Sequence, residues 1–188
     1  MSVEILRRKF TVAEYHRMVE VGILHPDDHV ELLEGDVVQM SPKGGEHSAC
    51  VSRLNDLLTE RLRRKAIVRV QDPVHLDDMS EPEPDIAIVH LRTDFYAKGH
   101  PQPPEIHLLI EVADSSLVYD RRRKIPQYAA AGVLESWLAN IPERVLEVYR
   151  KPGPAGYEES LRLRSGDSVA PLAFPDCTVG VDEVLGTP

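Results

Sequence analysis

The stretch that decides the fold is EIHLLIEVADSS (105–116) followed by YDRRRKIPQYAAAGVLESW (119–137). The segment 108–112 is apolar on both faces except at Glu111, which predicts a central strand of a sheet. Pro126 suits the first turn of a helix, so the basic turn before it leads into a helix and Lys124 lies near its start. This unit therefore carries a carboxylate on a strand and a lysine at the beginning of the next helix.

A second acid precedes another short apolar strand in EPEPDIAIV (81–89). Asp85 comes directly before the strand, and the prolines ahead of it restrict the backbone. If the two strands are neighbours, Asp85 and Glu111 converge on one point. An isolated carboxylate in an apolar setting is costly, so a cation or a lysine is expected beside Glu111.

Two acids and a lysine in this order form a minimal set for metal-dependent phosphodiester hydrolysis. Mg²⁺ prefers oxygen ligands and commonly uses one or two carboxylates, with Mn²⁺ as a substitute. The metal would activate a water, and Lys124 would stabilise the charge that develops on phosphorus. Taken singly, Asp85 is as easily a solvated turn residue, Glu111 a partner of an arginine, and Lys124 part of a solvated basic run. The three together favour the functional interpretation.

The whole pattern resembles the bacterial restriction-endonuclease-like family of unknown function in the PD-(D/E)XK nuclease superfamily, and the similarity covers nearly the whole chain. The similar segments are Pro84-Asp85, Glu111-Val112, Asp114 to Leu117, Asp120, Lys124, Tyr128-Ala129, Ala131 to Val133, Glu135, Trp137, Glu31 to Gly35 and His47. The superfamily lysine normally lies two residues after the second acid, where this chain has Ala113. The resemblance implies that Lys124, displaced into the following helix, replaces it.

By the same resemblance, Asp85 and Glu111 bind the metal and Lys124 assists. Four further residues are candidate supporting groups, and each has a plain structural alternative. Glu31, in a hairpin strand, is a candidate third acid or an exposed strand residue. His47 opens the first long helix, Gln71 closes an apolar strand, and Asp120 lies four residues before Lys124, which places the two on one helix face.

Composition limits the class of protein. A chain of 188 residues with 42% hydrophobic residues predicts one domain, 1–188, with an ample core. No segment is long and apolar enough to span a membrane, and MSVEILRRKF has no apolar signal core. Two cysteines in no metal-ligand spacing fit a reducing cytoplasm. The net charge of −9 argues against strong indiscriminate DNA binding but does not exclude a nuclease.

The order of elements predicts the fold class. A capped helix from Thr11 to Val21 and a hairpin turning at Gly35 precede an amphipathic helix through Leu62. Strands follow near 66–71, 85–90 and 106–112, then a helix over about 124–131 and further strands. Pattern alone gives a mixed α/β or α+β domain. The resemblance implies a restriction-endonuclease-like core, a mixed sheet flanked by helices, with an added N-terminal helix and hairpin.

Three hypotheses for function follow. The first is a Mg²⁺-dependent DNA endonuclease acting as a homodimer, since cutting two strands usually needs two sites and symmetric pairing is the commonest oligomer. The second is a non-catalytic module of the same fold that binds nucleic acid or protein. The third is a metal hydrolase acting on another phosphate ester. Convergence of Asp85, Glu111 and Lys124 separates the first from the second.

Overall fold

A six-stranded mixed sheet holds the residues that the sequence singles out. The computed structural model describes residues 7–25 and 27–187. The helices are α1 (Val12–Glu20), α2 (Gly45–Arg61), α3 (Leu117–Tyr119), α4 (Ile125–Ala130) and α5 (Val181–Leu185). The strands are β1 (Val30–Leu33), β2 (Asp36–Gln39), β3 (Ala66–Val70), β4 (Ile86–His90), β5 (Ile106–Ala113), β6 (Glu135–Asn140), β7 (Val145–Gly153), β8 (Gly156–Leu163), β9 (Ser168–Val169) and β10 (Val179–Gly180).

The sheet runs in the order β3-β4-β5-β6-β7-β8. Neighbouring strands are antiparallel except β5 and β6, which are parallel. A parallel pair needs a crossover, and this one contains α3, a π-helical turn over Asp120–Lys124, and α4. The predicted mixed sheet flanked by helices is confirmed, and β3 and β8 are its two edge strands.

Helices cover both faces of the sheet. On one face, α2 buries Leu54 and Leu58 against a cluster that includes Ile110 and the fully buried Trp137. On the other face, Tyr128 of α4 packs in a second cluster. Strand β5 is therefore apolar on both sides, as the sequence predicts, and Glu111 on this strand is only 3% exposed.

The N-terminal additions are also as predicted. The capping box of α1 pairs the Thr11 side chain with the Glu14 backbone, and the Glu14 carboxylate with the Thr11 N–H. Strands β1 and β2 form a hairpin with a two-residue turn, in which Glu34 and Gly35 have φ values of 48° and 76°. Both central residues need a left-handed backbone in such a turn, which explains the glycine.

Two local features differ from the expectation. The helix predicted over about 124–131 begins as a π-helical turn at Asp120, and α4 proper covers Ile125–Ala130. The C-terminal residues, in which the sequence shows no motif, form the β9–β10 pair and α5, whose Val184 joins the core beneath α2. No helix among the described residues has the length and apolarity to cross a membrane.

Candidate active site

The register of two antiparallel strands brings the two acids together. Ile86 of β4 pairs with Ile110 of β5, so one step further along the ladder Asp85 lies opposite Glu111. Asp85 Oδ2 also accepts a hydrogen bond of 2.9 Å from the backbone N–H of Val112. The sequence predicts that Asp85 and Glu111 converge if their two strands are neighbours, and β4 and β5 are neighbours in the sheet.

Lys124 projects into the same place from the crossover. In the π-helical turn, the Ile125 N–H bonds to the Asp120 carbonyl, which widens the turn and buries Asp120 and Lys124 on its inner side. The Lys124 ammonium lies 2.9 Å from Glu111 Oε1 and 3.2 Å from Glu31 Oε2. It also donates to the Glu83 carbonyl at 3.3 Å. The displaced lysine therefore reaches the carboxylates rather than solvent.

Glu111 is a buried carboxyl group with two neighbours on one oxygen. The Tyr128 hydroxyl donates to Oε1, the same atom that Lys124 contacts. Burial raises the pKa of Glu111 to about 8, against the opposing effect of Lys124 and with a further rise from nearby carboxylates. Burial therefore favours the protonated form of Glu111, whereas Lys124 favours the carboxylate. Burial works to lower the pKa of Lys124, but Glu111 and Glu31 carry it well above its usual range, so the ammonium stays charged.

The pKa of Asp85 is shifted downward, in the opposite direction to the pKa of Glu111. Burial alone would raise its pKa, but hydrogen bonds from His47, Gln71 and Val112 outweigh that effect and lower it. The Nε2 atom of His47 lies 3.1 Å from Asp85 Oδ2, and the Gln71 amide donates to Oδ1 at 2.9 Å. Two carboxyl groups whose pKa values are pushed apart are a frequent property of catalytic sites.

Glu31 and Asp120 are both buried beside these residues. Glu31, which the sequence left undecided between a site role and an exposed strand position, is 2% exposed. Its Oε2 accepts from the Glu83 N–H at 3.0 Å as well as contacting Lys124. Asp120 accepts from the Ser116 hydroxyl, and burial raises its pKa. All seven candidate residues of the sequence therefore lie around one cleft.

The cleft has a volume of about 310 Å³ and contains unsatisfied polar groups in its wall. His47 Nδ1 and the Tyr119 hydroxyl are buried and have no hydrogen-bond partner among the described residues. Buried polar atoms in native proteins usually have a partner, so these two are suited to a polar ligand.

The donor set of the cleft fits a hard divalent cation. Gln71 occupies one lone pair of Asp85 Oδ1, and no hydrogen bond to Glu111 Oε2 is found among the described residues. Two carboxylate oxygens with space for water and substrate phosphate match the coordination of Mg²⁺. A softer metal would need nitrogen or sulfur ligands, and His47 already bonds to Asp85.

Several contacts were not assigned from the sequence. Tyr128 belongs to the family-like pattern, but its bond to Glu111 depends on packing between α4 and β5. The basic turn 121–124 also forms ion pairs that its sequence does not specify. In the structure Arg121 pairs with Glu147 and Arg123 with Glu34, which leaves Arg122 as the exposed cation without such a pair among the described residues.

The mixed sheet, the acid pair and the buried lysine define a protein of the restriction-endonuclease-like fold class. The chain belongs to the family described as "Uma2: Putative restriction endonuclease", whose sequence profile matches residues 12–182. A solved structure described as a "putative nuclease belonging to DUF820 from Anabaena variabilis ATCC 29413" is similar, with a TM-score of 0.70 and 18% sequence identity. The match covers 94% of this chain and 97% of that one. No curated protein matches the chain.

Proposed function

We propose that the protein is a Mg²⁺-dependent endonuclease that hydrolyses phosphodiester bonds in DNA. The observation that carries the proposal is the meeting of Asp85, Glu111 and Lys124 in one cleft, with the ammonium 2.9 Å from Glu111. A module that only binds a phosphate backbone has no need of buried acids facing it. Membership in a family described as restriction endonucleases supports a nucleic acid as substrate.

Each residue has a distinct task in this proposal. Asp85 and Glu111 would hold Mg²⁺, which supplies charge neutralisation and a more acidic bound water. His47 and Gln71 fix the Asp85 carboxylate, and Tyr128 fixes Glu111. Water would attack phosphorus and release its proton to solvent, the bond from phosphorus to the leaving oxygen would break, and that oxygen would take up a proton from solvent. The negative charge that develops would face the Lys124 ammonium.

Glu31 is assigned the role of positioning Lys124. Its 3.2 Å contact would hold the ammonium beside Glu111 Oε1, which leaves Glu111 Oε2 for the metal. Asp120 lies next to the lysine on the inner side of the turn and adds negative charge, which favours both the ammonium and a cation in the cleft. The cleft thus keeps Lys124 charged in either state of Glu111.

DNA is the preferred substrate for two reasons. The family description concerns restriction endonucleases. Aromatic residues make up only 5% of the chain, which gives no platform for stacking single-stranded RNA bases. A homodimer in the cytoplasm, with Mn²⁺ able to replace Mg²⁺, completes the proposal.

The test is nicking of supercoiled plasmid with Mg²⁺ or Mn²⁺. Wild type, Asp85→Asn and Lys124→Met are compared with Arg122→Met, a matched control from the same basic turn. We expect metal-dependent nicking by wild type and by Arg122→Met, and none by the other two variants. Absence of nicking at every metal concentration, or equal nicking by all four proteins, would favour a non-catalytic module of the same fold or another phosphate ester.

A further inference from the structure

A second group of metal-ligating side chains lies outside the cleft. Three of the eight histidines of the chain, His16, His75 and His100, gather around the carboxylate of Glu81. None of these four residues lines the cleft of the proposed active site. The proposed nuclease chemistry uses none of them.

The ligand atoms are close enough to share one ion. His16 Nε2 lies 2.5 Å from Glu81 Oε1, and one atom each of His16, Glu81 and His100 lie within 4.8 Å of one another. Ligand atoms around tetrahedral zinc, at about 2.0–2.1 Å from the metal, are separated by about 3.3 Å. The present separations, 2.5 Å for His16 and Glu81 and no more than 4.8 Å for the other pairs, bracket that value. His75 Nδ1 lies 3.5 Å from Glu81 Oε2, the other oxygen of the same carboxylate.

Two observations point to a ligand rather than to a hydrogen-bonded cluster alone. Glu81 is 4% exposed, and among the described residues its ion-pair partners are histidines only, which are charged only when protonated. A buried carboxylate without a permanent cation is costly. In addition, His100 Nδ1 is buried and has no hydrogen-bond partner among the described residues. A bound cation would compensate for the buried charge and for the unsatisfied imidazole together.

We propose that His16, Glu81 and His100 form a Zn²⁺ site, with water as the fourth ligand and with His75 close to the second oxygen of the Glu81 carboxylate. Imidazole nitrogens with one carboxylate oxygen are a common ligand set for zinc, whereas Mg²⁺ and Ca²⁺ select oxygen ligands. Hydrogen bonding of a ligand carboxylate by a neighbouring side chain is typical of such sites. The proposed zinc site thus has imidazole nitrogens and one carboxylate oxygen as ligands, whereas the proposed Mg²⁺ site has carboxylate oxygens.

The position of the site gives it a structural role. His16 lies on α1, His100 lies in the loop between β4 and β5, and Glu81 donates its N–H to the Leu32 carbonyl of β1 at 2.9 Å. One ion would join the N-terminal helix and this loop to strand β1. That strand also carries Glu31, the partner of Lys124. Zinc bound by these residues would stabilise the junction of α1, this loop and β1 without entering the reaction.

The experiment is a titration of Zn²⁺, and of Co²⁺ as a spectroscopic probe, into protein without a histidine tag after chelator treatment. An Asp85→Asn background weakens metal binding in the cleft. We expect one equivalent of Zn²⁺, a visible Co²⁺ absorption band, and an increase in Tm of about 5–10 °C at a free Zn²⁺ concentration about 100-fold above Kd. His16→Ala and His100→Ala should abolish all three signals, and His25→Ala should retain them.

The controls separate loss of binding from loss of the fold. The His16 side chain is 48% exposed, so His16→Ala is expected to fold, as checked by circular dichroism, and it decides the matter if His100→Ala does not. His25 is 71% exposed and lies outside the cluster. Absence of stoichiometric binding, or binding that persists unchanged in His16→Ala, would overturn the proposal. Because nicking is not measured, this result is independent of the proposed nuclease activity.

Discussion

Replacing Lys124 by methionine should destabilise the protein in a way that depends on pH. The substitution keeps the length of the side chain but removes an ammonium that contacts Glu111 at 2.9 Å and Glu31 at 3.2 Å. Removing one partner of a buried ion pair costs about 3–5 kcal/mol, because the other charge stays buried and unpaired. Near pH 6 Glu111 is already protonated, so the ion pair that the substitution breaks at that pH is the one with Glu31. We therefore expect the lower end of this range at that pH.

The cost should grow above pH 8. Glu111 has a pKa of about 8 in the wild type, and the loss of the lysine moves that pKa higher. Between pH 8 and the new pKa, Glu111 of the folded variant keeps its proton. Glu111 of the folded wild type and of the unfolded chain has lost it. Stability of the variant therefore falls relative to wild type by about 1.4 kcal/mol per pH unit as pH rises through that interval.

The assay is urea denaturation at pH 6 and pH 9, with Arg122→Met as the control. The double variant Glu31→Gln, Lys124→Met should recover part of the loss at pH 6, because it removes the unpaired carboxylate. A loss in Lys124→Met no larger than in Arg122→Met, or no dependence on pH, would refute the conclusion that the lysine is buried between these acids.

Three further predictions concern the cleft. His47→Ala removes a hydrogen bond to Asp85 and should weaken apparent Mg²⁺ affinity in the nicking assay by about 10–100-fold, whereas an unchanged Mg²⁺ dependence would contradict that role. At subsaturating Mg²⁺, wild-type nicking should rise up to about tenfold per pH unit and level off near pH 8, because Glu111 must lose its proton to bind metal. Saturating Mg²⁺ should flatten this profile, and a flat profile at both concentrations would argue against Glu111 as a ligand. Tyr128→Phe should cost about 1–2 kcal/mol in urea denaturation, and no loss would show that its bond to Glu111 is not made.

The sequence predicted the elements of the site better than their contacts. The apolar setting of Glu111 and the proline at the start of α4 were enough to predict a central strand and a helix after a basic turn. That β4 lies beside β5, with Asp85 opposite Glu111, is a long-range register that one sequence does not specify. The similarity to the nuclease family predicted that Asp85, Glu111 and Lys124 act together, which local periodicity could not predict.

Other features were beyond local pattern for physical reasons. The π-helical turn that buries Lys124 differs from an α-helical turn only in its backbone hydrogen bonds. The helix propensities of the residues do not distinguish the two kinds of turn. The burial of Glu31 results from packing of the hairpin against the crossover. The short β9–β10 pair and α5 have too few residues for periodicity to reveal them. The prediction of a single domain over residues 1–188, a homodimer and a cytoplasmic location remains a prediction.

The most direct measurement of the central claim is a diffraction experiment on crystals soaked in Mn²⁺, with an anomalous difference map for wild type and for Glu111→Gln. We expect one strong peak in the wild-type cleft between Asp85 Oδ1 and Glu111 Oε2, and a weak or absent peak in the variant. A wild-type cleft without a peak, or a peak that is equally strong in Glu111→Gln, would contradict the assignment of these acids as the metal ligands.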